Sequence, residues 1–314
     1  MPDTTARYAE VEAWAKVNLD LRILAREASG YHQLETVFQR ISLADDVKVL
    51  VREGEGIAIR CTPPVDVPDH ENLACRAAAA YRAAAAWPAP GQRIVIAITK
   101  RIPTGGGLGG GSADAGAVLR ALNALNREPL DTATLLTIAA SLGADVPFLS
   151  TEAACTLAWG RGERLLPLAP LPARTVHMAT FDTGVNTALA YHALATARSD
   201  GRITPPGGML LGAGTLDSWH ALQRHARNDF EGPVFALRPD IAAVHAAWSA
   251  VAPQALVRMS GSGATVVAIT DVQPDAYAAV AATWPARDGT RYQRAQTLTA
   301  VPPVRILSPP IGFR

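Results

Sequence analysis

PTGGGLGGGSADAG, residues 103–116, places glycine at 105, 106, 107, 109, 110, 111 and 116. It stands between RIVIAI (93–98), which reads as a strand, and VLRALNAL (118–125), which reads as a helix. Glycine in an ordered segment has an entropic cost, so something there needs bare backbone. A glycine-rich bend turns successive N–H groups inward as an anion nest. A helix that starts directly afterwards adds its unsatisfied N–H groups and the positive end of its dipole. Strand, glycines, Ser112 and helix thus come in the order of a phosphate site. Ser112 is open to three roles: helix N-cap, phosphate contact or Mg²⁺ ligand. Other phosphate loops fit less well. GxxxxGK[ST] fails for want of its lysine. Gly105–Gly110 matches GxGxxG formally, but the loop comes a third of the way along the chain, after apparent hairpins, rather than at the first strand of a βαβ unit.

To the N-terminal side, residues 11–23 alternate. Val11, Ala13, Ala15, Val17, Leu19, Leu21 and Ile23 form one face, and Glu12, Trp14, Lys16, Asn18, Asp20 and Arg22 the other. That period of two predicts a half-buried strand. DVKVLVRE and GIAIRC read as a hairpin about Gly54 and Gly56. ENLACRAAAAYRAAAAW predicts a helix opened near Asn72 and ended by Pro88. DTATLLTIAASLG predicts another, between Asp131 and Gly143, and ADVPFL is expected as a turn because Pro147 forbids continuation. The proline-rich 167–174 is the expected linker. Beyond it TVHMATF reads as a strand, TALAYHALATARS and IAAVHAAWSAV as helices, and ALVRMSGSGATVVAIT as two strands about a glycine turn. Residues 200–215 are expected as a loop. Strands with hairpins and helices in both halves predict an α+β fold.

The chain has 314 residues and a formal net charge of +1, which predicts two domains and no nucleic-acid or membrane partner. The start, MPDTTARYAEVEAW, has no apolar core, so a cytoplasmic location is expected. Cys61, Cys75 and Cys155 are too scattered for a zinc site or disulfide framework and are expected as reduced, buried thiols.

The glycine stretch resembles the P-x-G-G-G-L-G-x-S-[SA] loop of the GHMP kinase superfamily, which includes galactokinase, homoserine kinase and mevalonate kinase. Within it, AKVNLDL (15–21), SGYHQLETVFQ (29–39), ENLACRAA (71–78), GADVPF (143–148), RNDFE (227–231) and MSGSGAT (259–265) are together similar to the branch of the non-mevalonate isoprenoid pathway that acts on a cytidine diphosphate-linked methylerythritol. Trp14 departs from the proline usual before Ala-Lys in that branch. The resemblance implies a two-domain fold: an ATP-binding half like ribosomal protein S5 domain 2 over residues 1–166, and a ferredoxin-like half over 167–314. It implies phosphorylation of a substrate 2-hydroxyl with ATP and Mg²⁺.

The resemblance also implies site residues. Pro103, Thr104, Gly105, Gly106, Gly107, Leu108, Gly109, Gly110, Gly111, Ser112 and Ala113 would bind ATP. Asn72 would line the adenine pocket, although by itself it reads equally as an N-cap. Asp145 would be the general base and Lys16 its partner, where the residues alone also allow a turn aspartate and a solvated strand lysine. Asn18 would orient one of these or the substrate. Tyr31 and His32 would take the cytosine, with Tyr191 as a second ring, Thr187 nearby, and Gly261 and Ser262 beside the substrate. Two rivals stand: a mevalonate- or homoserine-type kinase, which needs no base pocket, and a nucleotide-binding sensor, which needs neither Lys16 nor Asp145.

Overall fold

The computed structural model describes residues 6–28, 30–203, 216–271 and 290–310. From residue 204 onward the expected 200–215 loop lies outside them, as do the last four residues of the chain. β1 (Arg7–Arg26) and β2 (His32–Glu53) form a long antiparallel ribbon whose register shifts at Trp14/Lys16, Asn18/Asp20 and Ile23/Arg26. The apolar face predicted from residue 11 is buried throughout. The polar face corrects the expectation of a half-buried strand, because Lys16, Asn18 and Asp20 are buried as well. The glycine loop and Asp145 cover Lys16, and Gly261 and Arg227 of the second half lie against Asn18 and Asp20.

β3 (Ile57–Thr62) does not form the expected hairpin with β2. It runs parallel to β4 (Gln92–Thr99), and β4 lies between them, antiparallel to β2. The helix α1 (Leu73–Ala85) makes β3–α1–β4 a crossover unit, the connection that parallel neighbours require. The Asn72 side chain caps α1 by accepting from Ala74 N at 2.9 Å. β5 (Cys155–Gly160) pairs with β2, β6 (Arg164–Pro167) with β5, and β11 (Arg305–Leu307) with β1. These complete a seven-stranded sheet among the described residues.

The helices α1, α2 (Gly110–Leu125), α3 (Thr132–Leu142) and the short α4 (Val146–Leu149) share one core with this sheet, where Val118, Leu119, Leu122 and Leu125 of α2 are buried. Burying one such side chain stabilises by about 1.5–3 kcal/mol. α2 and α4 touch so closely that a Cβ on Gly116 would lie 2.5 Å from the Leu149 backbone. α4 corrects the expected turn at ADVPFL: Pro147 sits in the first helical turn, where its missing N–H has no intrahelical partner to lose.

β7 (Thr175–Phe181), α5 (Thr187–Ser199), α6 (Trp219–His225), α7 (Glu231–Leu237), α8 (Pro239–Val251), β8 (Leu256–Met259), β9 (Thr265–Thr270) and β10 (Thr290–Gln296) build the second half. Its sheet has the order β10-β7-β9-β8, antiparallel throughout. Both faces are buried at the central strands β7 and β9. Val176, Met178, Val267 and Ile269 join the core of the first half, while Ala179, Phe181, Val266 and Ala268 pack with Ala190, Leu194, Ile241 and Trp248 of α5 and α8. Leu21, Ile23 and Leu34 from the far end of the β1–β2 ribbon enter this second core. The three cysteines are free thiols; Cys75 and Cys155 are buried and Cys61 is partly so. Among the described residues no helix is long and apolar enough to cross a membrane.

Candidate active site

The ribbon, the glycine loop and the second half enclose a cavity of about 570 Å³. Pro103 to Ser112 form one wall, with Lys16, Asn18, Asn72 and Asp145 around them and Thr187, Tyr191, Gly261 and Ser262 opposite. Gly105, Gly107 and Gly109 each have φ +74°, in the left-handed region. A side chain on Gly107 would also run into the Ser260 carbonyl, so part of the demand for bare backbone comes from the second half of the chain. Ser260 Oγ donates to Gly107 O at 2.9 Å and locks that approach.

α2 begins earlier than the sequence suggests. Gly109 is its N-cap and Ser112 already stands in its first turn, so Ser112 is not the cap. The N–H groups of Gly110, Gly111 and Ser112 are the ones that an α-helix start leaves without intrahelical partners. Ala113, assigned to ATP with the loop, is buried, and its N–H is spent on Gly109 O at 2.8 Å, so it is no phosphate donor. Asn72 is both the cap of α1 and part of the cavity wall.

Lys16 Nζ lies 3.3 Å from Asp145 Oδ2 and donates to Asn18 Oδ1 at 2.8 Å. Asn18 Nδ2 donates to Thr36 Oγ1 at 2.8 Å, and that hydroxyl donates to the Asp20 carbonyl at 2.6 Å. The relay fixes the lysine from behind. Lys16 N donates to Leu108 O at 3.0 Å, which ties the Lys16–Asp145 ion pair to the glycine loop. The Asp145 side chain keeps 29% of its exposure, on the cavity side. Thr36 is not singled out by the sequence: it pairs with Leu21 while Phe38 stands across from Asn18, a register set by the bulge at Asn18/Asp20 that local spacing does not signal.

Tyr31, His32, Thr187 and Tyr191 line a groove that adjoins the cavity at Thr187 and Tyr191. His32 and Tyr191 stack on each other, 4.2 Å between centroids. Tyr31 is 60% exposed, and the Arg161 guanidinium, paired with Glu27, covers its ring at 4.2 Å. The two tyrosines therefore do not face each other directly. Burial lowers the His32 pKa, and the charges of Arg26 and Arg198 lower it further, which favours the neutral imidazole. Burial pushes Tyr191 up to about 12, with the Asp145 charge adding to it. Thr187 Oγ1 and Ser262 Oγ are hydrogen-bonded at 3.1 Å and bridge α5 to the turn after β8.

A second charged cluster was missed from the sequence. Lys100 Nζ meets Asp45 Oδ2 at 2.5 Å and Asp114 Oδ2 at 2.6 Å beneath the glycine loop. Asp45 Oδ1 also accepts the backbone N–H groups of Arg101 and Ile102, which pins the end of β4 where the loop departs. Burial alone would lower the Lys100 pKa, but the two carboxylates outweigh it and raise it. Burial pushes Asp114 up to about 7 against the pull of Lys100.

Residues 72–152 match the family model described as the GHMP kinases N terminal domain. A 4-diphosphocytidyl-2-C-methyl-D-erythritol kinase from Solibacter usitatus (strain Ellin6076) is 39% identical over 84% of this chain and 81% of its own length. One from Desulfitobacterium hafniense (strain Y51) is 38% identical over 89% of this chain and 92% of its own. A crystal structure of 4-(cytidine 5'-diphospho)-2C-methyl-D-erythritol kinase superposes with a TM-score of 0.70 at 36% identity, over 92% of this chain and 98% of that one. The homoserine kinase from Cytophaga hutchinsonii shares the fold at a TM-score of 0.66 and 19% identity, over 98% of each chain. By these relatives and by its fold, the chain belongs to the 4-diphosphocytidyl-2-C-methyl-D-erythritol kinase family of the GHMP kinases.

Proposed function

We propose that the chain transfers the terminal phosphoryl group of ATP to the 2-hydroxyl of 4-diphosphocytidyl-2-C-methyl-D-erythritol. The observation that carries this reading is the Lys16–Asp145 pair, 3.3 Å apart, in a cavity walled by the glycine loop and open to the groove of Tyr31, His32 and Tyr191. Phosphoryl transfer asks the protein for positioning and charge stabilisation more than for covalent chemistry. The loop from Pro103 to Ser112 and the start of α2 hold the phosphates through backbone N–H groups, and Asn72 borders the adenine. Asp145 accepts the proton of the substrate hydroxyl. Lys16 keeps that carboxylate ionised and offsets charge on the attacking oxygen, while Asn18 aims Lys16.

Mg²⁺ accompanies ATP and neutralises charge on its phosphates. The described residues contain no group of three or more His, Cys, Asp or Glu that could hold a metal ion. Mg²⁺ would take few protein ligands where phosphates and waters supply the rest. The Ser112 hydroxyl, freed from capping, and the Thr104 hydroxyl are the side-chain oxygens that the loop offers.

The cytosine lies against the rings of Tyr31 and Tyr191, and His32 reads its edge as a neutral imidazole. Its entry turns His32 out of the stack with Tyr191 and shifts Arg161 on Tyr31. Gly261, Ser262 and Thr187 border the rest of the substrate. We divide the chain at 166/167 into the ATP-binding and the ferredoxin-like halves, with β11 returning to the first sheet.

A coupled ADP-release assay tests the reading. Turnover is expected with the cytidylated alcohol and not with mevalonate or homoserine. Comparable rates on either of those would replace the substrate assigned here. No ADP release with any of the three, in a chain that still binds ATP, would favour a nucleotide sensor.

A further inference from the structure

RNDFE, residues 227–231, has no part in the chemistry above, yet it touches both sides of the cleft. Arg227 O accepts from Leu21 N at 2.7 Å and Asp229 N donates to Leu21 O at 3.0 Å, so the segment runs along β1 as a short parallel partner. Asp229 Oδ2 accepts from Ile23 N at 2.8 Å and from Arg198 of α5 at 3.0 Å. From this anchored strip Asn228 and Phe230 point to different places. Asn228 is 5% exposed, and its Nδ2 donates to both Met259 O and Gly261 O at 2.7 Å. Its Oδ1 accepts Phe230 N at 2.9 Å. Glu231 Oε1 accepts Met259 N at 2.8 Å. The turn after β8 is therefore gripped on both sides, and that turn carries Ser260, whose hydroxyl holds Gly107 O. Phe230 meets Tyr191 edge to face, 4.9 Å between centroids, behind the ring that stacks on His32.

We propose that this segment sets the geometry of both subsites at once: Asn228 positions the glycine loop through the 259–261 turn, and Phe230 positions the Tyr191 wall of the base groove. The inference rests on the function proposed above. Neither residue touches the reacting atoms; each acts through a neighbour. The two effects are separable because Asn228 reaches the turn through its donor nitrogen and Phe230 through its acceptor oxygen. Asn228→Asp removes the two donations and keeps the acceptor for Phe230 N.

The test uses the full chain and two ligands, a non-hydrolysable ATP analogue and cytidine diphosphate, each titrated by calorimetry. Asn228→Asp is expected to raise the dissociation constant of the ATP analogue by about tenfold or more, through two lost hydrogen bonds, and to leave that of cytidine diphosphate within about twofold. Phe230→Leu is expected to do the reverse, weakening cytidine diphosphate by about two- to tenfold through the lost ring contact. Should Asn228→Asp fail to fold, Ser260→Ala removes only the link to Gly107 and should weaken the ATP analogue by about two- to tenfold. A parent chain that binds neither ligand overturns the functional reading and this inference with it. A parent that binds both, with variants that match it or lose both ligands equally, overturns this inference alone.

Discussion

Lys16 and Lys100 both line one cavity, but Lys16 meets one carboxylate, Asp145, at 3.3 Å, and Lys100 meets two, Asp45 and Asp114, at 2.5 and 2.6 Å. The side chain of Asp145 keeps 29% of its exposure, whereas that of Asp45 has none and that of Asp114 7%. A general base must release its partner far enough to take a proton from substrate, and only the looser pair has an open carboxylate. The tighter cluster spends its charge on architecture: Asp45 fixes the N–H groups of Arg101 and Ile102 at the root of the glycine loop. Two lysines of similar burial thus read as chemistry in one case and as a clamp in the other, and what separates them is how fully their partners are used.

Asp145→Asn breaks the comparison most severely on the catalytic side. Turnover should fall by about 10²–10⁴ with loss of the general base. Unfolding free energy should fall by no more than about 2 kcal/mol, since Asp145 is partly exposed and the buried Lys16 keeps its hydrogen bond to Asn18. Steady-state kinetics and urea unfolding on one preparation check both parts, and parental turnover would remove Asp145 as the base.

Lys100→Met breaks it on the structural side. Two buried carboxylates lose their counter-ion, and the cost should be about 3–5 kcal/mol of stability. Urea denaturation measures it. A loss of the size expected for Asp145→Asn would put the two lysines in one class.

The pH dependence sharpens the contrast further. Asp114 has a folded-state pKa raised to about 7, so its contribution to stability is full below the ordinary carboxylate range and is lost as pH rises through about 7. Glu231, raised by burial to about 7, and Asp20, also raised by burial, act in the same sense. Lys100, whose pKa is raised, loses its contribution only at alkaline pH. The stability of the parent relative to Asp114→Asn should therefore decline between pH 4.5 and 7.5, by on the order of 3 kcal/mol. Urea midpoints at several pH values measure this, and a difference independent of pH would refute the assignment.

How much of this was legible depended on how local the signal was. The alternation of residues 11–23, the helix caps Asn72 and Asp131, and the strand–glycine–helix order at 92–125 are short-range patterns, and all are present in the fold. The partner of β3 was not legible. Gly54 and Gly56 turn the chain as a hairpin would, but the position beside β2 is taken by β4, which comes thirty residues later. Ser112 looked like a cap because serine favours that place, yet Gly109, at positive φ, opens the helix first. Lys16 and Asp145 were joined by resemblance, and their approach requires α4 to stand against the ribbon, which no local spacing encodes. Asp114 looks like any polar residue in the first turns of a helix; only the arrival of Lys100 and Asp45 beneath it reveals the cluster.

The pairing of β11 with β1 has a consequence for the newborn chain. Tyr8, Ala9 and Glu10 are made well before their partners Leu307, Ile306 and Arg305, with a separation of 295 residues between Glu10 and Arg305. Until β11 has been made, that edge of the first sheet carries unpaired N–H and C=O groups, a template for stray strands. Glu10 guards it in the interim: a charge on an edge strand discourages pairing with another chain, and Lys48 on the neighbouring strand holds it at 3.6 Å. When β11 arrives, Arg305 takes the same carboxylate at 2.7 Å. The residue that protects the open edge early is the one that fastens it shut.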